Sequence, residues 1–131
     1  MNKEELLNKL ETEVVDLHVV LQAWFRGEGG NDPSVVTRHF DADFQMVGAA
    51  GRVLSCAVFA AALPGLYGSR PGLVMEIQNV EIRHVFNGGV VGFYREIQTQ
   101  GEQRTERWSS VVLVDGEEGF VWKQLHETFC S

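Results

Sequence analysis

The feature that most constrains this chain is its last third, from Leu73 to Phe129. It divides into four runs, about 73–86, 90–99, 104–114 and 119–129, separated by Asn87-Gly88-Gly89, by Gly101, and by Asp115-Gly116 with Gly119. Glycine with asparagine or aspartate between β-prone runs is a hairpin signal, so the runs are expected to form a meander. Each run exceeds the usual strand of about five or six residues, and strands this long must bend. In the first, Met75 and Ile77 share one parity while Val80 and Ile82 have the other. A bulge near Gln78-Asn79 would return all four to one face and curve the strand.

Helices are expected to lead into the meander. Leu7, Leu10, Val14, Leu17, Leu21 and Trp24 recur at steps of three and four, one apolar stripe of a long first helix. Asn2 and Glu5 suit a capping box at its start, and Gly27, Gly29 and Gly30 end it. Asp32-Pro33 restarts a short helix running to about Phe40, with Pro33 at the first helical position. Phe44–Val47 reads as a brief strand that turns through Gly48–Gly51 into Arg52-Val53-Leu54. Ser55 caps a third helix through Leu63, which Pro64-Gly65 kinks or stops. Helices followed by a bent antiparallel meander make an α+β open cone: three N-terminal helices packed on one strongly curved sheet.

A chain of 131 residues suits one domain, 1–131, burying roughly two-thirds of its unfolded surface. Eighteen acidic residues against eleven Lys and Arg give a net charge of -7, which opposes binding to nucleic acid or to an anionic membrane. No apolar run approaches the ~20 residues of a membrane span, and the acidic, amphipathic N-terminus does not read as a secretory signal. Cys56 and Cys130 lack metal-ligand spacing and are expected to be free thiols in a reducing cytoplasm. His18, His39 and His84 are scattered singly, so neither a metal nor any other cofactor is expected.

The turns allow a register to be proposed. A symmetric loop at Gln100–Gln103 sets Glu96 opposite Arg107 and Arg95 opposite Trp108. A symmetric loop at Asp115–Glu118 then sets Arg107 opposite His126, Trp108 opposite Leu125 and Glu106 opposite Glu127. Opposite-charge and aromatic cross-strand pairs each stabilise by about 0.2–1 kcal/mol, which favours this arrangement. Tyr94, Glu96, Arg107, Trp122 and His126 fall on one face. Arg95, Glu106, Trp108, Lys123, Leu125 and Glu127 fall on the other. The second face is the more apolar and is expected to be the concave one under the helices. The first still carries Tyr94, Val111 and Trp122, and a second copy of the chain is expected to cover it in a homodimer.

Several passages together resemble the nuclear transport factor 2-like superfamily, in particular its small bacterial SnoaL-like members of unassigned function. They are Trp24-Phe25 closing the helix stripe, Phe40-Asp41-Ala42-Asp43-Phe44, Gly68-Ser69-Arg70-Pro71-Gly72, Tyr94-Arg95-Glu96, Arg107-Trp108-Ser109-Ser110, and Trp122 with His126-Glu127-Thr128. The resemblance implies a cystatin-like cone, usually dimeric, with a pocket between helices and sheet. It also implies a pocket arginine at Arg95. The tyrosine on which the ketosteroid isomerases of the superfamily rely is missing from the first helix. Fold alone does not give function.

The expected pocket holds Arg95 as anchor for an acidic group, Trp24, Phe44 and Trp108 as walls, and Lys123 at the open end. Glu127 and Glu106, opposed and sharing a proton, are the candidate catalytic carboxyls. Glu96, Arg107 and His126 could form an acid–base row but, with Tyr94 and Trp122, are placed at the dimer interface. The expected function is binding of a small, partly apolar, acidic molecule. The alternatives are an isomerase, cyclase or dehydratase with a pocket carboxylate as base, or a protein-interaction module.

Overall fold

Reciprocal capping starts the first helix, α1, which spans Lys3–Arg26 in a computed structural model describing residues 2–131. The Asn2 Oδ1 accepts from the Glu5 backbone N–H at 2.8 Å, and Asn2 Nδ2 donates to Glu5 Oε1 at 3.0 Å. Leu10, Val14, Leu17 and Trp24 of the apolar stripe are buried. Gly27 ends the helix in the left-handed region at φ 74°, and the Gly27 and Glu28 N–H groups turn back to the Trp24 and Ala23 carbonyls.

Helix α2, Ser34–Thr37, is a single turn, shorter than the sequence suggests. The reason is tertiary: strand β1, Phe40–Val47, begins early because Phe40 already pairs with Trp122. Strand β2, Val53–Ser55, leads into α3, Cys56–Leu66, where Ser55 Oγ accepts from the Val58 N–H. Pro64 does not stop α3; it lies within the last turn, and the helix runs on to Leu66.

The four long runs form β3 (Val74–Phe86), β4 (Gly89–Gln100), β5 (Gln103–Asp115) and β6 (Phe120–Phe129). The sheet order is β2-β1-β6-β5-β4-β3. The β1–β6 pair is parallel and the others antiparallel, so the sheet is mixed and open rather than wholly antiparallel. The expected bulge in β3 is present: the pairing shifts between Gln78 and Glu81, and Asn79 takes φ 56°, a left-handed conformation that asparagine tolerates. Ile77, Val80 and Ile82 thereby all pack on the main core.

That core lies between α1 and the concave face of the sheet. It joins Leu10, Val14 and Leu17 to Phe44, Val90, Tyr94, Val111, Leu113, Trp122 and Leu125. Gly92 makes room for the helix, since a Cβ there would lie 2.9 Å from a Leu10 methyl. A smaller cluster of Trp24, Val36 and Leu63 lies under α2 and α3.

The register agrees with expectation in one hairpin and departs from it in the other. Glu96 faces Arg107 and Arg95 faces Trp108 across β4 and β5. Across β5 and β6, Trp108 faces Thr128 instead of Leu125, and Glu127 faces Ser109 instead of Glu106. The turn accounts for part of the slip, with Asp115 paired to Phe120 and Val114 to Val121. A bulge at Lys123 accounts for the rest: Leu113 faces Trp122 but Val112 faces Gln124. The turn's shift preserves the faces, whereas the single bulged residue exchanges them beyond Lys123.

The concave face is also the opposite one from that expected. Tyr94, Glu96, Ser109, Val111 and Trp122 are buried beneath the helices, while Phe93, Arg95, Glu106, Trp108 and Val112 face outward and are only partly covered. Counting apolar residues misjudged the faces because the concave wall carries a polar site, which lowers its apparent hydrophobicity.

Candidate functional site

Between α1, α3, β1 and the concave sheet lies a cavity of about 210 Å³. Its apolar wall comes from Leu17, Leu21 and Phe25 of α1, Phe40, Phe44 and Met46 of β1, Phe59 of α3, and Met75 and Leu125. Its polar wall is His18, Arg70, Glu96, Gln98, Arg107 and Glu127. Larger surface depressions lie elsewhere among the described residues. One of about 330 Å³, beside Glu13, Arg38 and His39, is open and flanked by the acidic Glu117-Glu118 turn.

His18 follows Leu17 in the helix stripe and is 4% exposed. Its Nδ1–H donates to the Val14 carbonyl at 2.7 Å, one turn back, which leaves Nε2 as the exchangeable position. Nε2 lies 3.0 Å from Glu96 Oε1. The other Glu96 oxygen accepts from Gln98 Nε2 at 2.6 Å, and Gln98 Oε1 accepts from Arg70 Nη1 at 2.7 Å. Burial alone would lower the pKa of His18, but the charge and hydrogen bond of Glu96, with help from Val14, leave it raised. Burial alone would raise Glu96, yet His18, Gln98 and Arg107 bring it below the usual carboxylate value. Each group thus favours the charged form of the other.

Glu127 is the contrasting acid. It is 7% exposed, and its nearest cation is Arg107, whose Nη1 lies 3.5 Å from Oε1. Burial, then the negative charge of Glu96, push its pKa up to about 7 against the opposing pull of Arg107 and His18. Two carboxyls in one cavity thus have different roles at neutral pH, Glu96 ionised and Glu127 poised to gain or lose a proton. Tyr94 lies behind them, its ring 5.7 Å from that of His18, and burial, then Glu96, hold its hydroxyl well above the usual phenol value.

The expected site residues separate. Phe44 and Glu127 line the cavity. For Glu127 two displacements cancelled, since both the register and the concave face differ from expectation. Arg95, Trp108 and Glu106 do not benefit: they lie on the outer face, where Arg95 and Arg104 bind Glu106 and the Arg95 guanidinium sits 5.5 Å from the Trp108 ring. Trp24 belongs to the second cluster, its indole N–H donating to the Leu63 carbonyl at 2.9 Å. Lys123, the bulged residue, reaches Asp41 and Asp43 at 3.2 and 3.4 Å on the surface. Tyr94, Glu96, Arg107 and Trp122 are turned inward rather than toward a partner, and His126 is exposed opposite Ser110.

His18, Arg70 and Gln98 were not anticipated. His18 had a signal: it stands four residues after Val14 and three before Leu21, a titratable group inside an apolar stripe. Arg70 and Gln98 had none, because only the approach of the Gly68–Gly72 loop to β4 joins them. Among the described residues, no three His, Cys, Asp or Glu side chains converge as metal ligands would.

No protein-family model matches the chain, and no curated protein matches it. Solved structures do. An NTF2-like protein of unknown function from Pseudomonas aeruginosa is 33% identical, with a TM-score of 0.88, over 94% of this chain and 99% of that one. A candidate dehydratase of the NTF2-like family from Streptomyces avermitilis is 12% identical over 99% of both chains, with a TM-score of 0.79. An uncharacterised protein with a cystatin-like fold from Caulobacter vibrioides is 15% identical over 97% of this chain and 91% of that one, with a TM-score of 0.73. The chain belongs to the nuclear transport factor 2-like family.

Proposed function

We propose that the protein catalyses proton transfer on a small, largely apolar molecule, the chemistry of an isomerase, cyclase or dehydratase. The observation that carries this reading is Glu127, a carboxyl held at the wall of an apolar cavity with a pKa of about 7. A carboxyl poised near the working pH can remove a proton beside a carbonyl and return it elsewhere. His18 faces the same cavity with both ring nitrogens engaged, Nδ1 by the Val14 carbonyl and Nε2 by Glu96, and so fixes the carboxylate whose negative charge helps raise Glu127. Aromatic walls at Phe25, Phe40, Phe44 and Phe59 exclude water and favour an apolar body. The candidate dehydratase from Streptomyces avermitilis shares the fold, and at 12% identity that likeness carries no chemistry.

The test has two arms. Glu127 should titrate by carbon NMR near pH 7, and a midpoint in the ordinary carboxylate range would overturn the reading. In D₂O the protein should exchange α-protons of small aryl ketones, and Glu127→Gln should remove that exchange.

The partner expected in this reading is a second copy of the chain. The outer face presents Phe93 and Trp108 stacked at 5.2 Å, with Arg83 over Phe93 and Arg95 over Trp108. These rings supply the apolar area that the sequence assigned to the other face, and sheet-to-sheet pairing would cover them.

A further inference from the structure

The cavity that holds Glu127 also holds more positive charge than its own acids neutralise. Arg107 is the clearest sign. Its guanidinium has five N–H donors, and the side chain as a whole is only 13% exposed. Its polar contacts are long, 3.5 Å to Glu127 and 3.4 Å to Thr105 Oγ1, it sits 5.1 Å from the centre of the Phe129 ring, and its Nε–H is buried with no partner. Buried guanidinium donors are rarely left this poorly paired, because each gave up water to reach the interior.

Arg70 brings a second guanidinium to the same place. It donates to Gln98 and Gln100, and Gln98 is directly paired with Thr105, which Arg107 contacts. Adjacent positions on β4 and β5 thus bring the two cations to one wall of the cavity. Burial, then the charge of Arg107, hold Arg70 below the usual arginine value, and the attraction of Glu96 offsets this only in part. Glu96 makes its hydrogen bonds to His18 and Gln98 rather than to either guanidinium. Glu127 is only partly ionised at neutral pH. In a chain of net charge -7, this cavity is a local excess of cations.

We propose that Arg107 and Arg70 form a carboxylate-binding subsite, so that the molecule on which Glu127 acts is a small carboxylic acid with an apolar body. This assignment of a substrate rests on the proton-transfer reading; the anion subsite itself does not. A planar carboxylate matches the fork of a guanidinium, and two forks can clasp it from either side. Size limits the body. A cavity of about 150 Å³ holds a benzene ring, so about 210 Å³ accommodates one ring and a short acid arm. The ring would lie against Phe25, Phe40, Phe44 and Phe59, and the acid would point toward β4 and β5.

The experiment compares matched probes on the full chain: benzoate, phenylacetate and 3-phenylpropanoate, their primary amides, and inorganic phosphate, all at one ionic strength. Calorimetry should show at least one acid binding about tenfold or more tightly than its amide, the effect of a charge-assisted contact. Arg70→Gln, at the cavity rim, should fold normally and cut that preference severalfold. Arg107→Gln should abolish it, with circular dichroism confirming the fold. The bound acid should also raise the Glu127 midpoint, which the amide should leave in place. Equal binding of acids and amides, no binding by either, phosphate binding as well as the acids, or a preference untouched in Arg70→Gln would each overturn the subsite. Should the preference hold while Glu127 titrates as an ordinary carboxyl, the proton-transfer reading fails and the carboxylate subsite stands.

Discussion

At the scale of single residues, the site separates two glutamates by their partners. Glu96 shares a proton-rich contact with His18 and accepts from Gln98; Glu127 has only a distant guanidinium. Opposite stability effects follow. Because His18 is raised from 6.5, the stability it adds is complete below that value and is lost as pH rises through its folded pKa. Glu96, lowered from 4.5, adds stability that is present above 4.5 and lost as pH falls through its folded pKa. Glu127, raised from 4.5 to about 7, holds a proton that the unfolded chain releases, so its burial costs stability increasingly between those values. Glu127→Gln should therefore gain on the parent by about 1–3 kcal/mol as pH rises from 4.5 to 7, then level off. Denaturant titrations across that range read the effect, and a pH-independent difference would contradict it. His18→Ala strands a buried carboxylate and should destabilise by about 3–5 kcal/mol at neutral pH. Part of His18 was legible beforehand, as an imidazole within a helix stripe; its partner was not, because Glu96 lies on a strand distant in sequence.

At the scale of elements, the irregularities do more than the regular spans. The Asn79 bulge was inferable from parity, since Met75 and Ile77 disagree with Val80 and Ile82. The Lys123 bulge leaves a weaker trace: Val121, Leu125 and Phe129 share one parity, which an unbroken strand also satisfies, and only Trp122 stands against it. Yet that bulge places Glu127 on the face of Glu96 rather than beside Glu106. Deleting Lys123 should rotate the end of β6, expose Leu125 and Glu127, and shift the Glu127 titration to the ordinary carboxylate range or prevent folding. Helix α1 ends with equal strictness. Gly27 takes φ 74°, and a Cβ there would lie 3.0 Å from the Gly68 Cα, so Gly27→Ala meets both a conformational penalty and backbone. Thermal unfolding should show a loss of about 1–2 kcal/mol.

At the scale of the whole molecule, the curved sheet separates two surfaces of different use. The concave side holds the core and the cavity; the outer side holds Phe93, Trp108 and the guanidiniums of Arg83 and Arg95. The dimer proposed for that outer side predicts that Trp108→Glu yields a monomer in light scattering while leaving the Glu127 titration unchanged. A monomeric parent protein would refute it. Arg95 and Trp108 would then matter for assembly, not for the ligand that the sequence assigned to them.

The sequence by itself determined the element types, the capping of α1, the β4–β5 register, the bend of β3 and the family, because each depends on neighbours along the chain or on one tight turn. Only the tertiary structure decided which face is concave, and with it the composition of the site. A sheet face is set by the parity of every strand in it. One unpaired residue at Lys123 reverses that parity for the end of β6, at a cost too small for local composition to record.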